Sequence, residues 1–100
     1  MLIVREIFIA KPGQASKLAR LFKKAMPARG DIRILTDFIG EFNMVVMETE
    51  IKNLKEYEEQ VEEYKSGKMM KELDAETAAA ISKYADLYIG GRREILQVVE

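Results

Sequence analysis

The stretch Ile32–Ile51, IRILTDFIGEFNMVVMETEI, decides the fold. Its two halves are rich in β-branched and apolar residues and meet at Gly40-Glu41, so it reads as two strands folded back on a tight turn. Glycine at the first central position suits a type II′ turn. With a two-residue loop, Ile39 pairs with Phe42 and Arg33 falls opposite Glu48. Successive side chains of a strand point to opposite faces. One face of the hairpin then carries Ile32, Ile34, Thr36, Phe38, Asn43, Val45, Met47, Thr49 and Ile51. The other carries Arg33, Leu35, Asp37, Ile39, Phe42, Met44, Val46, Glu48 and Glu50. The first is the cleaner apolar surface and is expected to face the helices. The second mixes apolar and charged residues and is not a plain solvent face.

On the N-terminal side, Leu2–Ala10 is an apolar run broken only by Arg5 and Glu6, which favours a strand. The turn Lys11-Pro12-Gly13-Gln14 leads into Ala15, Leu18, Ala19, Phe22, Ala25 and Met26. Their 3/4 spacing predicts a helix with one buried face, ended by Pro27 and Gly30. On the C-terminal side, Asn53-Leu54-Lys55-Glu56 has the form of a capping box, with Asn53 as cap and Glu56 reaching back. Leu54, Tyr57, Val61 and Tyr64 make the stripe of that helix, which Ser66-Gly67 interrupts. A further helical stretch puts Met70, Leu73, Thr77, Ile81, Tyr84 and Tyr88 on one side. Gly90-Gly91 reads as a turn and Arg93–Val99 as the last strand. The order strand, helix, strand, strand, helix, strand predicts an α+β, ferredoxin-like βαββαβ antiparallel sheet. Its expected spatial order is 4-1-3-2, with both helices on one face.

That arrangement leaves the other face bare, with Leu35, Ile39, Phe42, Met44 and Val46 on it. So apolar a patch does not stay in water on a small chain. The simplest cover is an identical sheet, so a homodimer through sheet faces is expected.

Composition excludes several chemistries. One hundred residues suit one domain, spanning 1–100, and 48% hydrophobic with 33% charged residues is a globular composition. Net charge is −1 with the signs interleaved, which argues against nucleic acid as a partner. Cysteine and histidine are both absent. Disulfides, thiolate catalysis, imidazole bases and the usual zinc and haem ligands are therefore missing, and neither metal nor cofactor is expected. No apolar run approaches the ~20 residues of a membrane span. The opening Met1-Leu2-Ile3-Val4-Arg5 enters a strand pattern without signal-peptide zoning, so a cytoplasmic protein is the expectation.

Three segments together resemble a known superfamily. They are Ile3-Val4-Arg5-Glu6-Ile7-Phe8 with Lys11-Pro12-Gly13, the hairpin from Leu35-Thr36-Asp37 through Gly40 to Val45-Val46-Met47-Glu48, and Arg93-Glu94-Ile95-Leu96. The chain resembles the dimeric α/β-barrel superfamily and, within it, small stand-alone NIPSNAP-like domains. The resemblance spans nearly all the chain and implies a dimeric α/β barrel. Members of that superfamily include cofactorless monooxygenases, haem-degrading enzymes, chlorite dismutase-like proteins, muconolactone isomerases and ligand-sensing domains. Fold likeness does not choose among them. Departures choose in part. The haem members rely on histidine, and the haem-degrading and related monooxygenases use an Asn-Trp-His set. This chain has neither Trp nor His, so Asn43 does not take that role.

The expected function is a small non-haem protein binding a small organic molecule between sheet and helices. One alternative is a cofactorless monooxygenase or isomerase working through carboxylate, Arg and Tyr groups. Another is a structural or protein-interaction module without a ligand. Whether the chain is an enzyme stays open. The candidate ligand-binding residues are Arg5 and Glu6 on the first strand, Thr36 and Asn43 on the hairpin, and Tyr57 and Tyr64 on the helix. Arg5 would anchor an anion with two hydrogen bonds, and Glu6 would accept a proton. Against this, Arg5 and Glu6 read more simply as structural ion pairs with Glu48, Glu50 or Arg93. Arg33–Glu48 reads as a cross-strand pair. The tyrosines read more simply as core and interface packing. The run Glu56, Glu58, Glu59, Glu62, Glu63 reads as a solvated helix face.

Overall fold

β1 (Leu2–Ala10) and β3 (Met44–Ile51) form the middle of a four-stranded antiparallel sheet in the computed structural model, which describes residues 1–26 and 32–100. β2 (Ile32–Thr36) pairs with β3, and β4 (Tyr88–Gln97) pairs with β1. The order β2-β3-β1-β4 is the one expected from the element sequence. The two inner strands supply the buried residues Val4, Ile7, Ala10, Val45, Val46 and Ile51. The outer strands carry Arg33, Arg92 and Arg93, charges that suit exposed edges.

The expected dimeric α/β barrel is overturned. β2 and β4 lie at opposite edges and do not bond to one another, so the sheet is open. Closure demands that edge strands meet with a matching tilt and stagger, and four strands of one chain do not reach that condition. The ferredoxin-like arrangement of strands and helices stands without the barrel.

The hairpin keeps its register and loses its turn. Arg33 pairs with Glu48 and Leu35 with Val46, as the alternation requires. Pairing stops at Thr36, however, and residues 37–43 form an open loop instead of a Gly40-Glu41 two-residue turn. Asp37 provides the reason. Its carboxylate accepts from the Met44 amide at 2.8 Å, and its own amide donates to the Met44 carbonyl at 3.3 Å. This side-chain capture closes the loop at its base. Asn43, at φ 64°, takes the left-handed conformation that the tight turn would have asked of Gly40. Ile39 and Phe42, expected to pair, project into solvent, as does Phe38.

Among the described residues, four helices and a 3₁₀ turn lie on one side of the sheet. They are α1 (Ala15–Ala25), α2 (Leu54–Lys65), α3 (Lys68–Glu72), α4 (Ala75–Ile81) and the turn Tyr84–Leu87. α1 buries Leu18, Phe22 and Ala25 against Ala10, Val45 and Ile81. Phe8, Ile34, Met47, Met70, Leu73, Tyr84 and Tyr88 pack around that cluster, so the inward stripes expected for α1 and for Met70–Tyr88 are realised. The α2 stripe is not, since Leu54 and Tyr64 are exposed. The stop expected at Pro27 and Gly30 lies outside the described residues. α1 ends at Ala25, with the Met26 amide still donating to the Phe22 carbonyl. Asn53 caps α2 by accepting from the Glu56 amide at 3.0 Å. Glu56 reaches back to the Lys52 amide at 2.6 Å, one residue before the cap itself. Gly67, at φ 76°, breaks the chain after α2. Asp74 then restarts it as α4 by accepting from the Thr77 amide at 2.6 Å.

The last strand starts earlier than the sequence suggests. Gly90-Gly91 lies inside β4 and is not a turn. A Cβ on Gly91 would stand 2.3 Å from the Ile7 carbonyl oxygen, so the residue allows two backbones to approach. The β1–β4 register shifts beside it, between Ile9 and Ala10, and this bulge lets Tyr88 pair with Ala10. Among the described residues no helix is long and apolar enough to cross a membrane.

Candidate functional site

Alternation along β1 separates Arg5 from Glu6. Phe8 and Ala10 pack with the helices, so Glu6 shares their face and Arg5 points to the other. Of the six expected site residues, the structure brings Glu6, Tyr57 and Tyr64 to the helix side, near the β1–β4 pair. Arg5 is removed from them by the sheet itself. Thr36 is exposed at the end of β2, and Asn43 sits in the loop, where its carbonyl accepts from the Ala10 amide at 2.8 Å.

Glu6 meets Arg93, its cross-strand neighbour, with Arg93 Nε donating to Glu6 Oε1 at 2.6 Å. The bond to the Glu6 carboxylate strengthens the hold of the Arg93 guanidinium on its proton. That guanidinium lies 5.7 Å from the centre of the Tyr57 ring, within cation–π range. The Tyr57 hydroxyl is buried and has no hydrogen-bond partner. Further along the same layer Tyr84 stacks on Tyr88, with centroids 5.6 Å apart and planes 29° apart. Phe8 meets Tyr88 edge-on at 5.1 Å and Phe22 at 4.9 Å. Burial, then a hydrogen bond with Tyr64, pushes the Tyr84 phenol above the ordinary tyrosine range. The result is a wall of aromatic rings beside one matched ion pair. Flat organic groups suit such a wall, because ring faces accept stacking and hydroxyls fix orientation.

The opposite face carries a row of charges through all four strands. Arg33 of β2 pairs with Glu48 of β3. Arg5 of β1 lies 3.7 Å from Glu48 and 3.9 Å from Glu94 of β4. Glu94 also holds Arg92 at 2.9 Å. Arg5 is thus spent on two carboxylates, although its buried Nε makes no hydrogen bond. Among the described residues no group of His, Cys, Asp or Glu is placed to hold a metal. A broad depression runs beside Lys55, Glu58, Glu59, Glu62, Glu63 and Ser66. These residues are one stripe of one helix, which cannot by itself enclose a ligand, and their acidity marks a solvated surface.

Arg93, Tyr84 and Tyr88 were not among the residues singled out as ligand-binding. Arg93 was read only as a possible structural ion-pair partner of Arg5 or Glu6, and it is Glu6 that it meets. Counting by twos back from Ile95 would have set Arg93 on the covered face. Tyr84 and Tyr88 were visible as a helical stripe, yet stripe position does not separate packing from binding.

No protein-family model matches the chain, and no curated protein matches it. Solved structures do. An uncharacterised NIPSNAP domain protein from Burkholderia xenovorans is 13% identical, with a TM-score of 0.70 over 99% of this chain and 95% of its own. A NIPSNAP family protein from Agrobacterium tumefaciens is 16% identical, with a TM-score of 0.72 over 99% of this chain and 86% of its own. A proposed antibiotic biosynthesis monooxygenase from Chloroflexus aurantiacus is 10% identical, with a TM-score of 0.63 over 99% and 94%. At these identities the likeness is one of fold: this chain has the fold of NIPSNAP-like proteins.

Proposed function

We propose that the chain binds a small organic molecule between sheet and helices, against Tyr57, Tyr64, Tyr84 and the Glu6–Arg93 pair. The observation that carries this reading is the Tyr57 hydroxyl, buried without a partner beside a charged pair. A buried donor left unsatisfied costs about 1–3 kcal/mol, a cost that a ligand acceptor would remove. A thermal-shift screen of metabolites and quinones tests it. A binder should raise the melting temperature of the wild type and lose that effect in Tyr57→Phe and Glu6→Gln. If no compound shifts the wild type while Tyr57→Phe melts higher, the hydroxyl is a packing defect and the interaction-module reading takes over.

The enzyme alternative is a cofactorless monooxygenase or isomerase. It draws support from the fold shared with the Chloroflexus protein and from the linked Tyr64, Tyr84 and Tyr88, with Tyr84 near the Arg93 that holds Glu6. Turnover of any compound found by the screen, lost in Tyr84→Phe without loss of binding, would favour it.

The same proposal includes a cytoplasmic homodimer formed through the bare sheet faces. Its support is chemical. By alternation that face presents Ile9, Leu35 and Met44, together with Arg5, Arg33 and Arg92 against Glu48, Glu50 and Glu94. A face with matched charges meets its own copy without net repulsion. Sedimentation should return twice the chain mass, and a monomer at every concentration would remove this part.

A further inference from the structure

The loop of residues 37–43 exposes Phe38, Ile39 and Phe42 to 99%, 93% and 87% of their surfaces. Large apolar side chains gathered at one loop mark an interaction surface more often than an accident of composition. The base of the loop is closed by Asp37 and Met44, so its tip is presented by a built support. We infer that this loop is an arm that docks on the sheet face of a second copy of the chain, with each copy's arm covering the apolar end of the other's sheet. The inference rests on the homodimer proposed above.

Position supports it first. Met44, at the base of the loop, pairs with Ile9, and both lie half-buried on the bare face with Leu35. The hydrogen bond to Glu94, and to a lesser degree the negative charge of Glu41 at the tip, strengthen the hold of Arg92, on that same face, on its proton. The arm therefore borders the uncovered sheet and is continuous with its apolar end. Area supports it second. Four strands ~4.8 Å apart and about eight residues long cover roughly 500 Å². A stable interface takes about 800 Å² from each partner. Two exposed phenylalanines add ~150–250 Å² each, which closes that gap. Symmetry supports it third. In a two-fold pair the arm meets the face and the face meets the arm, so both exposed surfaces are covered at once and no free arm remains to propagate.

The test uses the full chain. Across a micromolar dilution series, sedimentation should show a wild-type dimer. F38S/F42S should raise the dimer dissociation constant about 100-fold or more while leaving the far-UV spectrum intact, since both residues are exposed. A wild type that dimerises and a double variant that dimerises equally well would overturn the arm and leave the homodimer standing. A wild type monomeric throughout would overturn both. A second measurement uses the absence of tryptophan from the chain. Phe42→Trp should emit to the blue in the dimer and shift to the red on dilution. Red emission throughout the dimeric range would overturn the inference. So would a blue shift that comes only with phosphatidylcholine vesicles, which would assign the arm to a lipid surface.

Discussion

Arg5 and Glu6 are neighbours in the chain, yet the two faces of the sheet use their charges differently. Under the helices Glu6 has one partner, Arg93, held at 2.6 Å and set beside an aromatic ring. On the bare face Arg5 is shared between Glu48 and Glu94 at 3.7 Å and 3.9 Å, within a row that continues to Arg33 and Arg92. Burial does not set this difference: Arg93 and Glu6 are 55% and 24% exposed, against 33% and 13% for Arg5 and Glu48. It is set by how many opposite charges lie within reach, Arg93 for Glu6 and both Glu48 and Glu94 for Arg5. The lesson is that strand parity, one residue either way, decides which partners a charge meets.

The largest expected effect tests the covered face. Phe22→Ala should cost about 3–5 kcal/mol in urea unfolding, because Phe22 is buried against Phe8 and Tyr84. Leu35→Ala, on the bare face, should cost about 1–2 kcal/mol in chains diluted to monomer. Equal losses would erase the contrast between the faces. The adjacent glycines sharpen it next. Gly91→Ala should destabilise by about 1–3 kcal/mol, because its methyl group would meet the Ile7 carbonyl. Gly90→Ala should be near neutral in the same melting series, since nothing lies within 4 Å of a Cβ there.

A third contrast depends on pH. The folded state raises the Tyr84 phenol above its ordinary value of about 10, so folding favours its neutral form. That contribution is fully present below the unfolded value and is lost as pH rises beyond it, where the unfolded chain ionises first. Stability should therefore fall above about pH 10, and Tyr84→Phe should flatten that part of the profile. Ultraviolet titration should show one tyrosine ionising after the others. Four tyrosines titrating together would contradict the covered environment. The smallest effect is the difference between ion pairs. Double-mutant cycles should give about 1 kcal/mol for Glu6–Arg93 and less for Arg33–Glu48, whose arginine is 69% exposed. The Arg33–Glu48 coupling should also fade sooner with added salt.

Much of the fold was legible because it rests on period and order. The 3/4 spacing from Ala15 to Met26 gave α1, and alternation from Ile32 to Ile51 gave the Arg33–Glu48 register. What failed was local closure. Gly40 looked like a turn residue, but the Asp37 carboxylate captured the Met44 amide first. Gly90-Gly91 also looked like a turn, although its purpose was to let β4 lie close against Ile7. The placement of the candidate site residues was only partly legible. Glu6 and Tyr57 both lie against Arg93, whereas Arg5 is on the other face and Thr36 and Asn43 are at the loop.

The sequence by itself determined the element order, the strand order, the register of the hairpin and the absence of imidazole and thiolate chemistry. These follow from side-chain period and residue inventory, which are properties of the chain alone. Only the tertiary structure decided that the sheet stays open, that of the possible partners Glu6 takes Arg93, and that Phe38, Ile39 and Phe42 are left in solvent. The reason is physical. Each depends on where a distant backbone comes to lie: an edge strand that finds no partner, a glycine that admits a neighbouring carbonyl, and a carboxylate that ends a ladder three pairs early.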